Sequence, residues 1–216
     1  MSVDGNGVRP SQATCEELAR LGVATVYEAS GRHGVVDADL TQLIPGSRVA
    51  GPALVVCCGQ DDNLMVHAAI ERIRPGDVVV LSMPEPRPVA LLGDLLATQM
   101  KLAGAAGVLV DASIRDFEDL VELGLPIWAR FVRVRGASKD LPGEIGGEAI
   151  VGGARIRTGD VLVLDRDGAT VVAQDHVDEV LEASRSRLER EAGMRERFGR
   201  GEISFDIHGL RRLVGS

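Results

Sequence analysis

The segment Pro75-Gly76-Asp77-Val78-Val79-Val80-Leu81 leaves a Pro-Gly turn for an unbroken apolar run, which predicts a buried strand. Gly93-Asp94-Leu95-Leu96-Ala97-Thr98 follows, with a helix expected from Leu95 to Ala103, and Gly107 to Val110 reads as a second buried strand. Strand, helix and strand in that order make a β-α-β unit whose strands are expected to be parallel. In such a unit the helix start and the residues after the second strand, Asp111-Ala112-Ser113-Ile114-Arg115-Asp116, reach the same sheet edge, where open α/β sheets bind ligands. Asp94, Arg115 and Asp116 are therefore expected to be neighbours.

Towards the amino terminus, Val49 to Cys58 has the character of a strand, and Asp61-Asp62-Asn63 offers N-caps for a helix from Leu64 to Ile73. Capping boxes at Thr14-Cys15-Glu16-Glu17 and Thr25-Val26-Tyr27-Glu28 predict two short helices, stopped by Gly22 and by Gly31 and Gly34. Met1 to Pro10 is Gly-rich and polar and is expected to be mobile. Towards the carboxy terminus, a helix is expected from Phe117 to Leu123, a strand from Pro126 to Val134, and two or three more strands from Val151 to Val172. Turns fall at Thr158-Gly159-Asp160 and Asp165-Arg166-Asp167-Gly168, and Gly159-Asp160-Val161-Leu162-Val163-Leu164 reuses the turn-strand pattern of Gly76 to Leu81. A last long helix runs from about His176 to Phe198, with an apolar stripe at Val177, Val180, Leu181, Leu188 and Ala192. Glu191 and Arg195 share that face, four residues apart, and read as an ion pair.

No Pro/Ser-rich linker or charge block divides the 216 residues, so the chain is read as one domain, 1–216. Hydrophobic residues make up 45% and aromatic residues 3%, so the core must be built from Val, Leu, Ile and Ala. That composition implies a single-domain, layered α/β sandwich with a central β core flanked by helices. A formal net charge of -8 argues against a nucleic-acid partner, whose affinity would come from Lys and Arg. Three cysteines, two of them adjacent, suit neither a disulfide framework nor a thiolate metal site. No apolar run approaches the roughly 18 residues of a membrane span and no signal-peptide pattern opens the chain, so no membrane partner and a cytoplasmic location are expected. Arg130, Arg133, Arg135 and Lys139 read as a solvated or inter-subunit strand face.

Taken locally, Asp94 is a candidate N-cap, and Arg115-Asp116 a candidate ion pair opening the helix of Phe117 to Leu123. Together they offer more. The free amides of Leu95 and Leu96 at a helix start can bind a carboxylate or phosphate, Arg115 can add a charged fork, and Asp116 offers hard oxygen ligation to a divalent cation.

The run Val23-Ala24-Thr25-Val26-Tyr27-Glu28-Ala29-Ser30-Gly31-Arg32, with Gly93 to Thr98, Ile114-Arg115-Asp116 and Gly201-Glu202, resembles the class II pyruvate aldolases acting on 4-hydroxy-4-methyl-2-oxoglutarate and 4-carboxy-4-hydroxy-2-oxoadipate. These share a superfamily with the regulator of ribonuclease E activity. The resemblance implies that Asp116 ligates Mg2+ or Mn2+ and that Asp94 orders water at that ion. It implies that Arg115 stabilises the enolate of a 2-oxo acid whose carboxylate sits on the Gly93, Leu95 and Leu96 turn. Glu28 and Glu191 match glutamates that complete the site from an adjacent subunit of a homotrimer or homohexamer, with 176–216 at the subunit interface. The implied activity is metal-dependent aldol cleavage to pyruvate, with oxaloacetate decarboxylation as a side activity. The alternative is a non-catalytic, protein-binding regulator, for which a carboxylate at Asp116 would have no use. Lysine occurs only at Lys101 and Lys139, which favours a metal over a Schiff base.

Overall fold

A computed structural model describes residues 9–214, so most of the expected mobile terminus, 1–8, lies outside the described residues. Arg9 itself is held, its guanidinium 2.6 Å from Asp77 and donating to Pro75 O at 2.9 Å.

The strands are β1 (Thr41–Gln42), β2 (Val49–Cys57), β3 (Val78–Ser82), β4 (Ala90–Leu92), β5 (Gly107–Ile114), β6 (Ile127–Val132), β7 (Glu144–Ile145), β8 (Glu148–Val151), β9 (Ala154–Arg157), β10 (Val161–Asp165) and β11 (Gly168–Val172). The helices are α1 (Gln12–Leu21), α2 (Val23–Ala29), α3 (Leu64–Ala69), α4 (Asp94–Leu102), α5 (Phe117–Leu123), α6 (Val177–Gly199), α7 (Ser204–Ile207) and α8 (Arg211–Val214). Among the described residues, nine strands join one mixed sheet in the order β1-β6-β5-β3-β2-β10-β11, with β4 on β5 and β7 on β2; β8 and β9 form a separate hairpin. The expected layered α/β architecture is present.

β2, β3, β5 and β6 run parallel, Val78 facing Gly107 and Leu81 facing Val110. Every residue of β3 and β5 is buried, as their unbroken apolar runs require of strands covered on both faces. One apolar cluster joins β3 and β5 to α3, α4 and α5, a second packs the β8–β9 hairpin on the other face around Trp128, and a third seats α1, α2 and α6 on β10.

Several local expectations are corrected. Ser11, not Thr14, caps α1, accepting from Thr14 N at 3.1 Å, because the helix starts a turn earlier. Glu17 is left free to pair with Arg185 of α6 at 2.6 Å. α2 starts at Val23 rather than Thr25, since the Val23 amide is satisfied from afar by Asp165 Oδ2 at 2.9 Å. α3 gives way to a 3-10 turn over Ile70–Arg72, and the second strand of the β-α-β unit continues beyond Val110 to Ile114. On α6 the buried stripe ends at Ser184, and Leu188 is 45% exposed. Arg130 does not join a solvated face but binds Asp111, which is 2% exposed.

Candidate functional site

Parallel pairing of β4 with β5 sets Leu92 beside Ile114, and Arg115 N donates to Leu92 O at 3.1 Å. The next residues on the two strands, Gly93-Asp94 and Arg115-Asp116, are thereby brought side by side at the carboxy-terminal edge of the sheet. Gly93, not Asp94, occupies the N-cap of α4, and Asp94 is its first helical residue. The cap has no side chain, so the first helical amide to find an acceptor in the helix is Ala97, on Gly93 O at 3.1 Å. The Leu95 and Leu96 amides remain without an acceptor among the described residues, at the positive end of the helix. Leu95 is 74% exposed beside them, whereas Leu96 is buried.

Asp116 adopts the left-handed conformation, φ 58°, which aspartate tolerates better than most residues. That turn aims its carboxylate back across the edge: it does not cap α5, and Oδ2 lies 3.4 Å from both Asp94 N and Arg115 Nε. Both contacts are long and both side chains are part-exposed, 49% for Arg115 and 33% for Asp116. Oδ1 of Asp116 and both carboxylate oxygens of Asp94 carry no hydrogen bond among the described residues. Gly93 is required by space: a Cβ there would lie 2.6 Å from Asp116 Oδ2 and 3.3 Å from Arg115 Nε. Among the described residues no three His, Cys, Asp or Glu side chains converge as a metal site, so any ion here would rely on one or two carboxylates.

Glu28 and Glu191 are also brought together, on α2 and α6, but around a different residue. Arg187 lies 3.6 Å from Glu28 Oε2 and 2.9 Å from Glu191 Oε1, while Arg32 meets the same Glu28 oxygen at 3.2 Å and Arg195 the other Glu191 oxygen at 3.1 Å. Among the described residues neither glutamate contacts Asp94, Arg115 or Asp116 by hydrogen bond or ion pair. Arg187 was missed in the sequence, although its position four residues before Glu191 is an ordinary helical pairing distance. Gly136 was missed too: a Cβ on it would lie 3.0 Å from Arg115 Nη1. A cavity of about 660 Å³ lies at the opposite end of the parallel strands, among Arg9, Cys15, Pro75, Gly104 and Pro126, and includes none of the predicted site residues.

The RraA-like family model, described as Aldolase/RraA, matches residues 23–171, which include Glu28 and the whole sheet edge but not Glu191. A protein of Halalkalibacterium halodurans named as a candidate 4-hydroxy-4-methyl-2-oxoglutarate aldolase is 36% identical over 140 residues, 65% of this chain and 67% of its own length. One of the same name from Albidiferax ferrireducens is 32% identical over 178 residues, 76% of this chain and 96% of its own. Among solved structures, Streptomyces coelicolor RraAS2, described as an unusual member of the RNase ES inhibitor RraA family, superposes with a TM-score of 0.76 at 30% identity, covering 87% of this chain and 98% of that one. No helix among the described residues is long and apolar enough to cross a membrane.

Proposed function

The chain belongs to the RraA-like family, Aldolase/RraA, and from that premise we propose that it is a divalent-metal-dependent carbon-carbon lyase. Its substrates would be 4-hydroxy-2-oxo acids such as 4-hydroxy-4-methyl-2-oxoglutarate or 4-carboxy-4-hydroxy-2-oxoadipate, cleaved to pyruvate and a second 2-oxo acid. Oxaloacetate decarboxylation is the proposed side activity. The observation that carries this reading is the meeting, at one sheet edge, of two carboxylates with unclaimed oxygens, a part-exposed guanidinium and two acceptor-free helix amides.

Asp116, with Asp94 beside it, fits Mg2+ or Mn2+: the donors are hard oxygens, the missing Cβ of Gly93 keeps their space open, and such ions retain several waters. When bound, the ion would supply Lewis-acid polarisation of the substrate's 2-oxo group. The chain's own groups do the rest. The Leu95 and Leu96 amides receive the C1 carboxylate at the positive end of α4. Arg115 faces the C2 oxygen and binds it more strongly as the C3–C4 bond breaks, when that oxygen takes on enolate charge. A water or carboxylate base removes the C4 hydroxyl proton as that bond breaks, and protonation at C3 completes pyruvate. Oxaloacetate reaches the same enolate by losing carbon dioxide.

Glu28 and Glu191 are proposed to complete the site of a neighbouring copy in a homotrimer or homohexamer, with α6 and the following tail at that interface and Arg187 holding the two glutamates ready. A purely protein-binding regulator would need neither open oxygens at Asp94 and Asp116 nor a vacant helix start, which is why the lyase is preferred.

The test is pyruvate release from oxaloacetate and from 4-hydroxy-4-methyl-2-oxoglutarate, with magnesium or manganese and then with chelator. Chelator-sensitive release from either supports the lyase. No release from either, with no divalent cation bound by calorimetry, overturns it in favour of the regulator.

A further inference from the structure

The turn Asp61–Asn63 and the segment Arg133–Leu141 take no part in the proposed chemistry, yet between them lies one of the most completely buried carboxylates of the described chain. Asp62 is 0% exposed. One oxygen accepts from Leu64 N at 2.8 Å; the other accepts from Ser138 Oγ at 2.6 Å, Asp140 N at 2.6 Å and Leu141 N at 3.1 Å. Main-chain bonds reinforce the knot, Asn63 N to Ser138 O at 2.9 Å and Ser138 N to Asp61 O at 3.0 Å. Burial pushes this carboxyl up, but the hydroxyl and amide donors outweigh it and hold the group down at about 2, so it is an anion throughout the neutral range.

The other end of the segment starts at Arg115. Arg133 N donates to Ile114 O at 3.0 Å, and Ala90 N to Arg135 O at 2.7 Å. Residues 133–141 therefore form a strap from the shoulder of Arg115 to Asp62, and it passes the Arg115 guanidinium at Gly136, where a Cβ would lie 3.0 Å from Nη1 and push it aside. Arg115 has no close ion pair to fix its direction, since its contact with Asp116 is 3.4 Å. The strap is the wall against which the guanidinium rests.

We propose that Asp62 is a positioning residue: by knotting the strap it holds Gly136 against Arg115 and so directs the guanidinium at the substrate oxygen. The catalytic consequence rests on the lyase reading; the mechanical one does not. An aspartate suits the task because every lone-pair site it uses meets a donor, whereas an asparagine would turn an amide group towards at least one N–H.

The experiment uses the full chain as wild type, Asp62→Asn, Gly136→Ala, Arg115→Lys and the Asp62→Asn/Arg115→Lys double variant. It follows pyruvate release from oxaloacetate at saturating magnesium and the Arg115 Nε–Hε resonance in 15N-labelled protein, assigned by its loss in Arg115→Lys. Asp62→Asn is expected to lower kcat about tenfold or more, as small misplacements of a substrate-binding group do. In the Arg115→Lys background the same change is expected to cost less than about twofold, because the two residues act as one unit. The Arg115 resonance is expected to move in both Asp62→Asn and Gly136→Ala. A full, multiplicative loss in the double variant, or an unmoved resonance in the single ones, overturns the proposal. If Asp62→Asn does not fold, Ser138→Ala, which removes one donor of the same knot, decides by the resonance alone: a shift supports the proposal and an unmoved resonance overturns it. If the wild type releases no pyruvate, the lyase reading has failed, and the resonance still decides whether the strap positions Arg115.

Discussion

Two Arg-Asp pairs sit along β5, one at its middle and one at its end, and they have nothing in common but their residue types. Asp111 is 2% exposed and bound at 2.6 and 2.5 Å by Nε and Nη2 of Arg130, whose side chain is 22% exposed. Burial pushes the Asp111 carboxyl up and Arg130 only partly opposes it, so the ionised pair is tolerated rather than favoured. Arg115 and Asp116, a few residues on, meet at 3.4 Å with both side chains part-exposed and an Asp116 oxygen unclaimed. The inner pair is short and shut away from water, whereas the outer pair is long and open to solution, as the proposed binding of an ion and a 2-oxo acid needs. Charge type alone does not separate the two; closeness and burial of the pairing do.

The widest expected separation between them comes from deleting each carboxylate. Asp116→Ala is expected to abolish chelator-sensitive pyruvate release, a loss of about a thousandfold or more, since it removes the proposed metal ligand. Its melting temperature is expected to stay within about 2 °C of wild type, because no tight interaction is lost. Asp111→Ala is expected to do the reverse. Leaving Arg130 without its buried partner costs about 3 kcal/mol, the low end for a broken buried pair because the guanidinium keeps some water. In a domain of this size that lowers Tm by roughly 6–12 °C, read by scanning calorimetry, with kcat of the folded protein within about threefold of wild type. A stable Asp111→Ala, or a destabilised Asp116→Ala, would break the comparison.

The outer pair was legible in the sequence because a β-α-β unit is strong information: parallel strands with unbroken apolar runs force the two chain ends to one edge, whatever the detail between them. The turns ahead of β3 and β10 were legible for a similar reason. Asp77 Oδ2 accepts from Arg74 N at 2.7 Å and Asp160 Oδ2 from Arg157 N at 2.9 Å, so the repeated Gly-Asp does one local job twice. The inner pair was not legible, because Arg130 finds Asp111 only through strand pairing between β5 and β6, with a register shift between Val110 and Ser113. β4 is three residues long, too short for periodicity to register. The β8–β9 hairpin was missed, its first strand lying ahead of the strands expected from Val151, although Gly152-Gly153 at its tip, with φ of 51° and 77°, is the two-residue signal such a turn requires. Asp62 was read as one of three N-cap candidates for α3, and it does accept from Leu64 N. Its larger task, tying down Ser138 to Leu141, depends on residues more than seventy positions away.

The smallest expected effect is also the most discriminating, because it leaves every charged group of the outer pair in place. Gly93 has φ -134° and ψ -175°, an extended conformation open to any residue, so alanine introduces no backbone strain there. Its methyl would sit 2.6 Å from Asp116 Oδ2, too close for the carboxylate to stay where it is. The carboxylate is part-exposed and can swing outward at little cost, so stability is expected to change by less than about 1 kcal/mol. Catalysis cannot absorb the same movement if metal and 2-oxo acid are to be held on one edge. Gly93→Ala is expected to raise the half-saturating magnesium concentration and lower kcat/KM for oxaloacetate about tenfold, as displacement of a site group by a fraction of its own size does. Wild-type kinetics in this variant would show that Asp116 serves only to shape the start of α5, and the outer pair would then be as structural as the inner one.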